Sequence, residues 1–217
     1  MKPTSKGFFI TFEGPEGAGK TTQAQLLVGA LEEAGWDVIL LREPGGCPLA
    51  EELRGLLKHF GQPGDVCAEA ELLMFGAARA QLMRQIILPH LSRGGIVVCD
   101  RFADSTTVYQ GMARKLAAQF IENLHEFVIE NRWPDLTFLL DLTVEETLAR
   151  TGRRQTKTDL PDRMENEDRD FYQAVRNGFL RLARAEPNRF RIVEAKQPVE
   201  EIHQRIIKEA LCALDPS

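Results

Sequence analysis

Gly14, Pro15, Glu16, Gly17, Ala18, Gly19, Lys20, Thr21 and Thr22 follow directly on an apolar run at 8–12 and fit the pattern GxxxxGK[ST]. Glycines at 14, 17 and 19 let the backbone turn tightly and bring successive N–H groups onto a polyphosphate. The N-terminus of a following helix adds its own positive field. Lys20 supplies a point charge for the outer phosphates. The Thr21 hydroxyl suits one position on a magnesium ion whose other ligands are phosphate and water oxygens. A glycine-rich turn can carry a lysine by chance, but a strand before it and a helix after it are the context the phosphate reading needs.

Further chemistry-bearing residues stand at the ends of later apolar runs. Asp100 closes the run 96–99, where a carboxylate can face a metal directly or through water; a helix cap or an ion pair with Arg101 would also explain it. Arg42 and Arg101 both follow strand-like runs, and a planar guanidinium grips phosphate through two parallel hydrogen bonds. The plainer alternative pairs them on the surface with Glu43 or Asp104. A switch GTPase or a motor holds one nucleotide and water, whereas a kinase must also fix an acceptor in line. Surplus arginines favour the kinase.

Phe75 and Arg79 lie one helical turn apart, so a ring and a cation share a face that could stack on a base and donate to its carbonyl. Such a stripe is more often core. Arg153, Arg154, Lys157 and Arg163, with Arg150 just ahead of them, crowd a polar stretch at 152–163 without apolar period, which reads either as a solvated loop or as a lid that closes over a triphosphate.

These residues need a scaffold. The runs 8–12, 38–41, 96–99, 136–140 and 190–193 alternate with helix-like segments at 20–34, 49–59, 69–91, 115–130, 144–151, 165–185 and 199–211. That alternation predicts a five-stranded parallel α/β sheet with helices on both faces. Ligands then gather beyond the carboxyl ends of the strands. At 217 residues, with 43% hydrophobic and 27% charged, the chain is expected to form one domain, 1–217.

A net charge of −5 and a pI near 5.5 argue against a nucleic-acid partner, whose phosphates call for surplus lysine and arginine. Cys47, Cys67, Cys99 and Cys212 are scattered and read as reduced thiols. His59, His90, His125 and His203 lack metal-ligand spacing. No apolar stretch approaches the roughly 20 residues of a membrane helix, and no secretory core is visible, so no membrane partner and a cytoplasmic location are expected.

Taken together, Phe12-Glu13-Gly14-Pro15-Glu16-Gly17-Ala18-Gly19-Lys20-Thr21-Thr22, Arg42-Glu43-Pro44-Gly45-Gly46, Leu72-Leu73-Met74-Phe75 with Arg79, Asp100-Arg101-Phe102 and Ser105-Thr106-Thr107-Val108-Tyr109-Gln110-Gly111 closely resemble bacterial thymidylate kinases. The resemblance runs on through Asp162-Arg163-Met164-Glu165 and implies the P-loop nucleoside monophosphate kinase fold with a lid at about 152–163. It implies transfer of the γ-phosphoryl of ATP to dTMP with magnesium. Glu16 would accept from the sugar 3'-hydroxyl, and Arg42 and Arg101 would hold the monophosphate. Phe75 would stack on thymine while Arg79 donates to its 4-carbonyl. Thr106 would lie near a ring nitrogen, Tyr109 would crowd the 2' position, and Gln110 would lie alongside.

By the same resemblance Thr21 and Asp100 would hold magnesium. Some members carry an arginine at the position of Gly17; here Arg153 or Arg154 of the lid would contact the transferred group, and Arg150 would lie against adenine. Cys47 stands where threonine is usual and Phe102 where tyrosine or histidine is common, which removes the hydrogen bonds those side chains supply. The Glu43–Pro44 bond is expected to be cis, and the chain to be a homodimer through helices around 72–88 and 115–130. A kinase for another nucleoside monophosphate, and a regulatory binder that holds nucleotide without transfer, are the alternatives.

Overall fold

The computed structural model describes residue 4 and residues 6–60, 65–155 and 167–215. The five apolar runs form β1 (Phe8–Glu13), β2 (Val38–Arg42), β3 (Ile96–Asp100), β4 (Leu136–Asp141) and β5 (Phe190–Glu194). Every pairing is parallel, in the order β2-β3-β1-β4-β5. The central strands β1, β3 and β4 are buried almost throughout, which is why they read as unbroken apolar runs. The edge strands β2 and β5 mix buried and accessible positions.

Helices cover both faces: α1 (Lys20–Glu33), α2 (Pro48–His59), α3 (Ala68–Leu82), α4 (Leu88–Ser92), α5 (Ala103–Thr106), α6 (Ala118–Ile129), α7 (Val144–Gln155), α8 (Arg169–Ala185) and α9 (Val199–Leu214). Successive β1 residues point to opposite faces. Ile10 and Phe12 pack with Leu27 and Leu31 of α1 and Ile202 and Ile206 of α9. Phe9 packs instead with Leu82, Met83 and Ile87 and with Val128 of α6.

Several boundaries differ from the sequence reading: α6 begins at Ala118 rather than 115, α8 at Arg169 rather than 165, and α9 runs to Leu214 rather than 211. The helix expected at 69–91 is α3 and α4 joined by a π-helical turn, Met83–Ile87. Pro89 has no N–H to donate and its ring would press on the preceding turn, so the ladder widens ahead of it. The helix expected to end at 151 runs on to Gln155, because Arg153, Arg154 and Gln155 are good helix formers that outweigh Gly152. Of the lid expected at 152–163, residues 152–155 therefore continue α7, and 156–163, with Lys157 and Arg163, lie outside the described residues. A further helical segment, α5 running into a π-helical stretch at Thr107–Ala113, was not anticipated.

Strand register aligns the site. Phe12 and Arg42 both stand opposite Asp100, so β1, β2 and β3 end at one level and their following loops meet.

Candidate active site

The loop after β1 is built for close approach. Gly14 (φ +134) passes so near β4 that a Cβ there would sit 2.4 Å from the Leu140 carbonyl oxygen. Gly19 (φ +89) leads into α1, whose first N–H groups are left to point outward. Lys20 is buried, and its Nζ donates to the Gly14 and Pro15 carbonyls at 3.0 and 2.7 Å. Burial, with the Arg101 charge, pushes its pKa down to about 8, against the pull of Asp100, Glu16 and Glu13. Pro15 and Ala18 are buried beneath the loop, while Thr21 and Thr22 stand at its exposed end. The Thr21 hydroxyl donates to the Asp100 carboxylate, so neither a helix cap nor an Arg101 pair accounts for Asp100.

Arg101 turns back from β3 through a left-handed backbone (φ 71). Its Nη1 donates to Gly14 O at 3.1 Å and to Ser105 Oγ at 3.2 Å, and Nη2 donates to Glu16 Oε1 at 2.8 Å. The Tyr109 hydroxyl donates to both Glu16 oxygens at 2.8 and 2.9 Å. Burial pushes the Tyr109 pKa well above its ordinary value, which keeps the phenol a donor.

Arg79 is buried at 2% exposure, and all three of its nitrogens are engaged. Nε donates to Glu43 Oε2 at 2.7 Å, Nη1 to Thr106 Oγ1 at 3.0 Å and Nη2 to Phe102 O at 3.1 Å. Arg42 is exposed and donates to Glu51 at 3.0 and 3.2 Å. The alternative that paired Arg42 and Arg101 with Glu43 or Asp104 thus fails, since those carboxylates are taken by Arg79 and Arg189.

Glu16, Lys20, Thr21, Arg42, Phe75, Arg79, Asp100, Arg101, Thr106, Tyr109 and Gln110 all line one cavity of about 630 Å³, with Gly17, Gly19 and Thr22. A volume of this size suits a small-molecule site, typically about 300–1,000 Å³. Arg150 is not on that wall. Its guanidinium bridges the carbonyls of Gly17 at 2.9 Å and Ala195 at 3.0 Å, so α7 sets a cation against the back of the phosphate loop. Arg153 and Arg154 fall in the last turn of α7; their side chains, and with them the expected contact to a transferred group, lie outside the described residues. The Glu43–Pro44 bond is cis. Cys47 precedes α2 without a capping bond, and Phe102 is fully buried, edge-on to Phe9.

Several participants escaped the sequence reading. Glu13 is buried at the end of β1, where Oε1 accepts from Phe102 N at 2.8 Å and Ser105 N at 3.3 Å, and Oε2 from Ser105 Oγ at 2.6 Å. Burial and the charge of Asp104 push its pKa up to about 8. It closes an apolar run just as Asp100 does, and that shared position was the available signal. Arg54, Lys58 and Glu71 also line the cavity, but on helices they resemble ordinary surface charges.

A phosphate loop and an arginine-lined cavity at the carboxyl edge of a five-stranded parallel sheet define a P-loop kinase of the nucleoside monophosphate class. Residues 12–206 match the family model described as thymidylate kinase. A thymidylate kinase of Pseudomonas putida (strain W619) is 48% identical over 91% of this chain and 93% of its own. One from Geobacter sulfurreducens is 45% identical over 89% and 92%. The crystal structure of thymidylate kinase from Ehrlichia chaffeensis superposes with a TM-score of 0.74 at 36% identity, covering 94% of this chain and 98% of that one. The chain belongs to the thymidylate kinase family.

Proposed function

We propose that this chain transfers the γ-phosphoryl group of ATP to dTMP, giving dTDP and ADP. The carrying observation is a single cavity whose wall holds both Lys20 of the phosphate loop and the Phe75, Arg79 and Tyr109 cluster, with Arg101 bonded across to Glu16. ATP phosphates take residues 14–22, where amides and Lys20 meet their charge. dTMP lies with its base on Phe75, its 4-carbonyl toward Arg79, a ring nitrogen near Thr106, and its sugar between Glu16 and Tyr109, with Gln110 alongside Tyr109. Arg42 and Arg101 hold its phosphate. The acceptor oxygen is already anionic near neutral pH, so positioning and charge neutralisation supply the acceleration and no strong base is required.

Thr21 and Asp100 offer adjacent hard oxygen donors, which fits magnesium held mainly by phosphate and water. Bound there, it would neutralise charge on the phosphate oxygens. Arg150 lies against adenine, and Arg153 or Arg154 meets the transferred group.

The whole chain, 1–217, acts as one kinase unit, and two copies pair through α3 and α6. That pairing is supported by Phe127 (79% exposed), Leu73 (53%) and Phe120 (51%) on these helices. Among the described residues no helix is long and apolar enough to cross a membrane. The four free cysteines support a reducing, cytoplasmic setting.

A coupled assay of ADP release tests the reading. Release that requires dTMP is expected; equal release without dTMP, or a preference for AMP or dCMP, would refute it.

A further inference from the structure

Glu71, Phe75 and Arg79 recur at i, i+4 and i+8 along α3, which sets all three on one helical face. A carboxylate in a first turn is ordinarily a solvated partner of the helix dipole. Glu71 is 1% exposed and lines the cavity instead. Its Oε1 accepts from Gln110 Nε2 at 2.7 Å and from Arg114 Nε at 3.1 Å, and its Oε2 from Arg114 Nη2 at 3.3 Å. Arg114 is held in turn by Glu167 at 2.7 Å and lies over the Phe171 ring, 5.0 Å from its centroid. Gln110 belongs to the π-helical stretch that also carries Tyr109, and both side chains are buried in the cavity wall.

An ionised carboxylate only accepts, so the end of the Gln110 amide that meets Glu71 must be the NH₂ group. The carbonyl oxygen is thereby turned away from Glu71, and no described group donates to it. The same wall carries Arg79, a donor, and Thr106, whose oxygen already accepts from Arg79. We propose that Glu71 is a positioning residue that locks the Gln110 amide with its oxygen toward the base. Gln110 then accepts from the imide N–H of a 4-keto pyrimidine and opposes the ring-nitrogen lone pair of a 4-amino pyrimidine. Glu71 thus sets discrimination between thymine and cytosine nucleotides without touching either.

This inference rests on the dTMP kinase reading, which ADP release by the wild-type protein tests separately. Glu71→Gln keeps size but lets the Gln110 amide reverse, because a carboxamide both donates and accepts. The kcat/KM ratio of dTMP over dCMP is expected to fall at least about tenfold, mainly through KM for dTMP, since buried polar groups left mispaired are what reject the wrong base. KM for ATP should stay within about twofold, and in a Gln110→Ala background the same change should leave the ratio within about twofold, because a residue acting only through Gln110 has nothing left to orient. An unchanged ratio in Glu71→Gln, or an undiminished fall in the Gln110→Ala background, would overturn the proposal. In wild-type protein carrying ¹⁵N-glutamine, the Gln110 side-chain amide should exchange slowly with solvent; fast exchange would overturn it even if Glu71→Gln did not fold.

Discussion

Arg101 Nη2 stands 2.8 Å from Glu16 Oε1, an ion pair that ties the end of β3 to the phosphate loop behind β1. The guanidinium also reaches Gly14 O and Ser105 Oγ, and its centre lies 5.2 Å from that of the Tyr109 ring. One planar group therefore spans the loop proposed for ATP and the cavity proposed for dTMP.

Arg101→Lys tests that span. A lysine ammonium is a point charge on a flexible stem and cannot hold three oxygens in a fixed fork, so turnover should fall by about 100- to 1,000-fold. Steady-state kinetics reads the loss, and an unchanged thermal midpoint would show that the fold survived.

Lys20 should bring a proton to the nucleotide. Burial sets its pKa at about 8 in the free protein, below the ordinary 10.5. Below that value it is already charged; above it the free protein holds neutral amine, and triphosphate favours the ammonium. Binding of ATP at a pH of about 9 should therefore take up a proton, seen as a calorimetric enthalpy that varies with the buffer's ionisation enthalpy, whereas at about pH 6.5 this contribution vanishes.

Gly14→Ala should destabilise the protein by at least about 3 kcal/mol, a thermal midpoint lower by roughly 6–12 °C for a chain of this length. The new methyl would meet the Leu140 carbonyl oxygen at 2.4 Å in a backbone of φ +134. Gly29→Ala is the control. Nothing lies within 4 Å of its added Cβ inside α1, so the midpoint should rise, by about 0.5–1 kcal/mol in stability.

Glu13 carries a pH signature. Its folded pKa is raised to about 8 from 4.5, by burial first and Asp104 second, so the neutral form is the one the fold favours. The favourable contribution is complete below pH 4.5 and is lost as pH rises toward 8, because the unfolded chain ionises first. Glu13→Gln stays neutral throughout. The variant's thermal midpoint minus that of wild type should climb from pH 5 to pH 8 and then level, and a difference flat across that range would contradict the assignment.

Much of the scaffold was legible. Strands were found within a residue of their ends because short apolar runs bounded by polar ends mark them, unbroken where a central strand is buried on both faces. The π-helical segments were invisible: Thr107–Ala113 has no period that sets it apart, and its extra residue per turn answers to packing against α8 and to the demand that Tyr109 and Gln110 both face the cavity. Glu43 and Glu71 were overlooked as site residues for a related reason. A carboxylate on a helix or in a turn looks solvated until another element buries it against Arg79 or Arg114.

The amino-acid sequence alone determined the phosphate loop, the five strands and most of the helices between them, because backbone freedom and apolar periodicity are local properties. Tertiary structure alone decided which charges meet: Arg42 with Glu51 rather than Glu43, Arg101 with Glu16, and Glu71 with Gln110. Pairing of that kind depends on distances between residues tens of positions apart. Only the closed fold sets those distances, and in a buried site they decide whether a charge is bonded, shifted or free to meet a ligand.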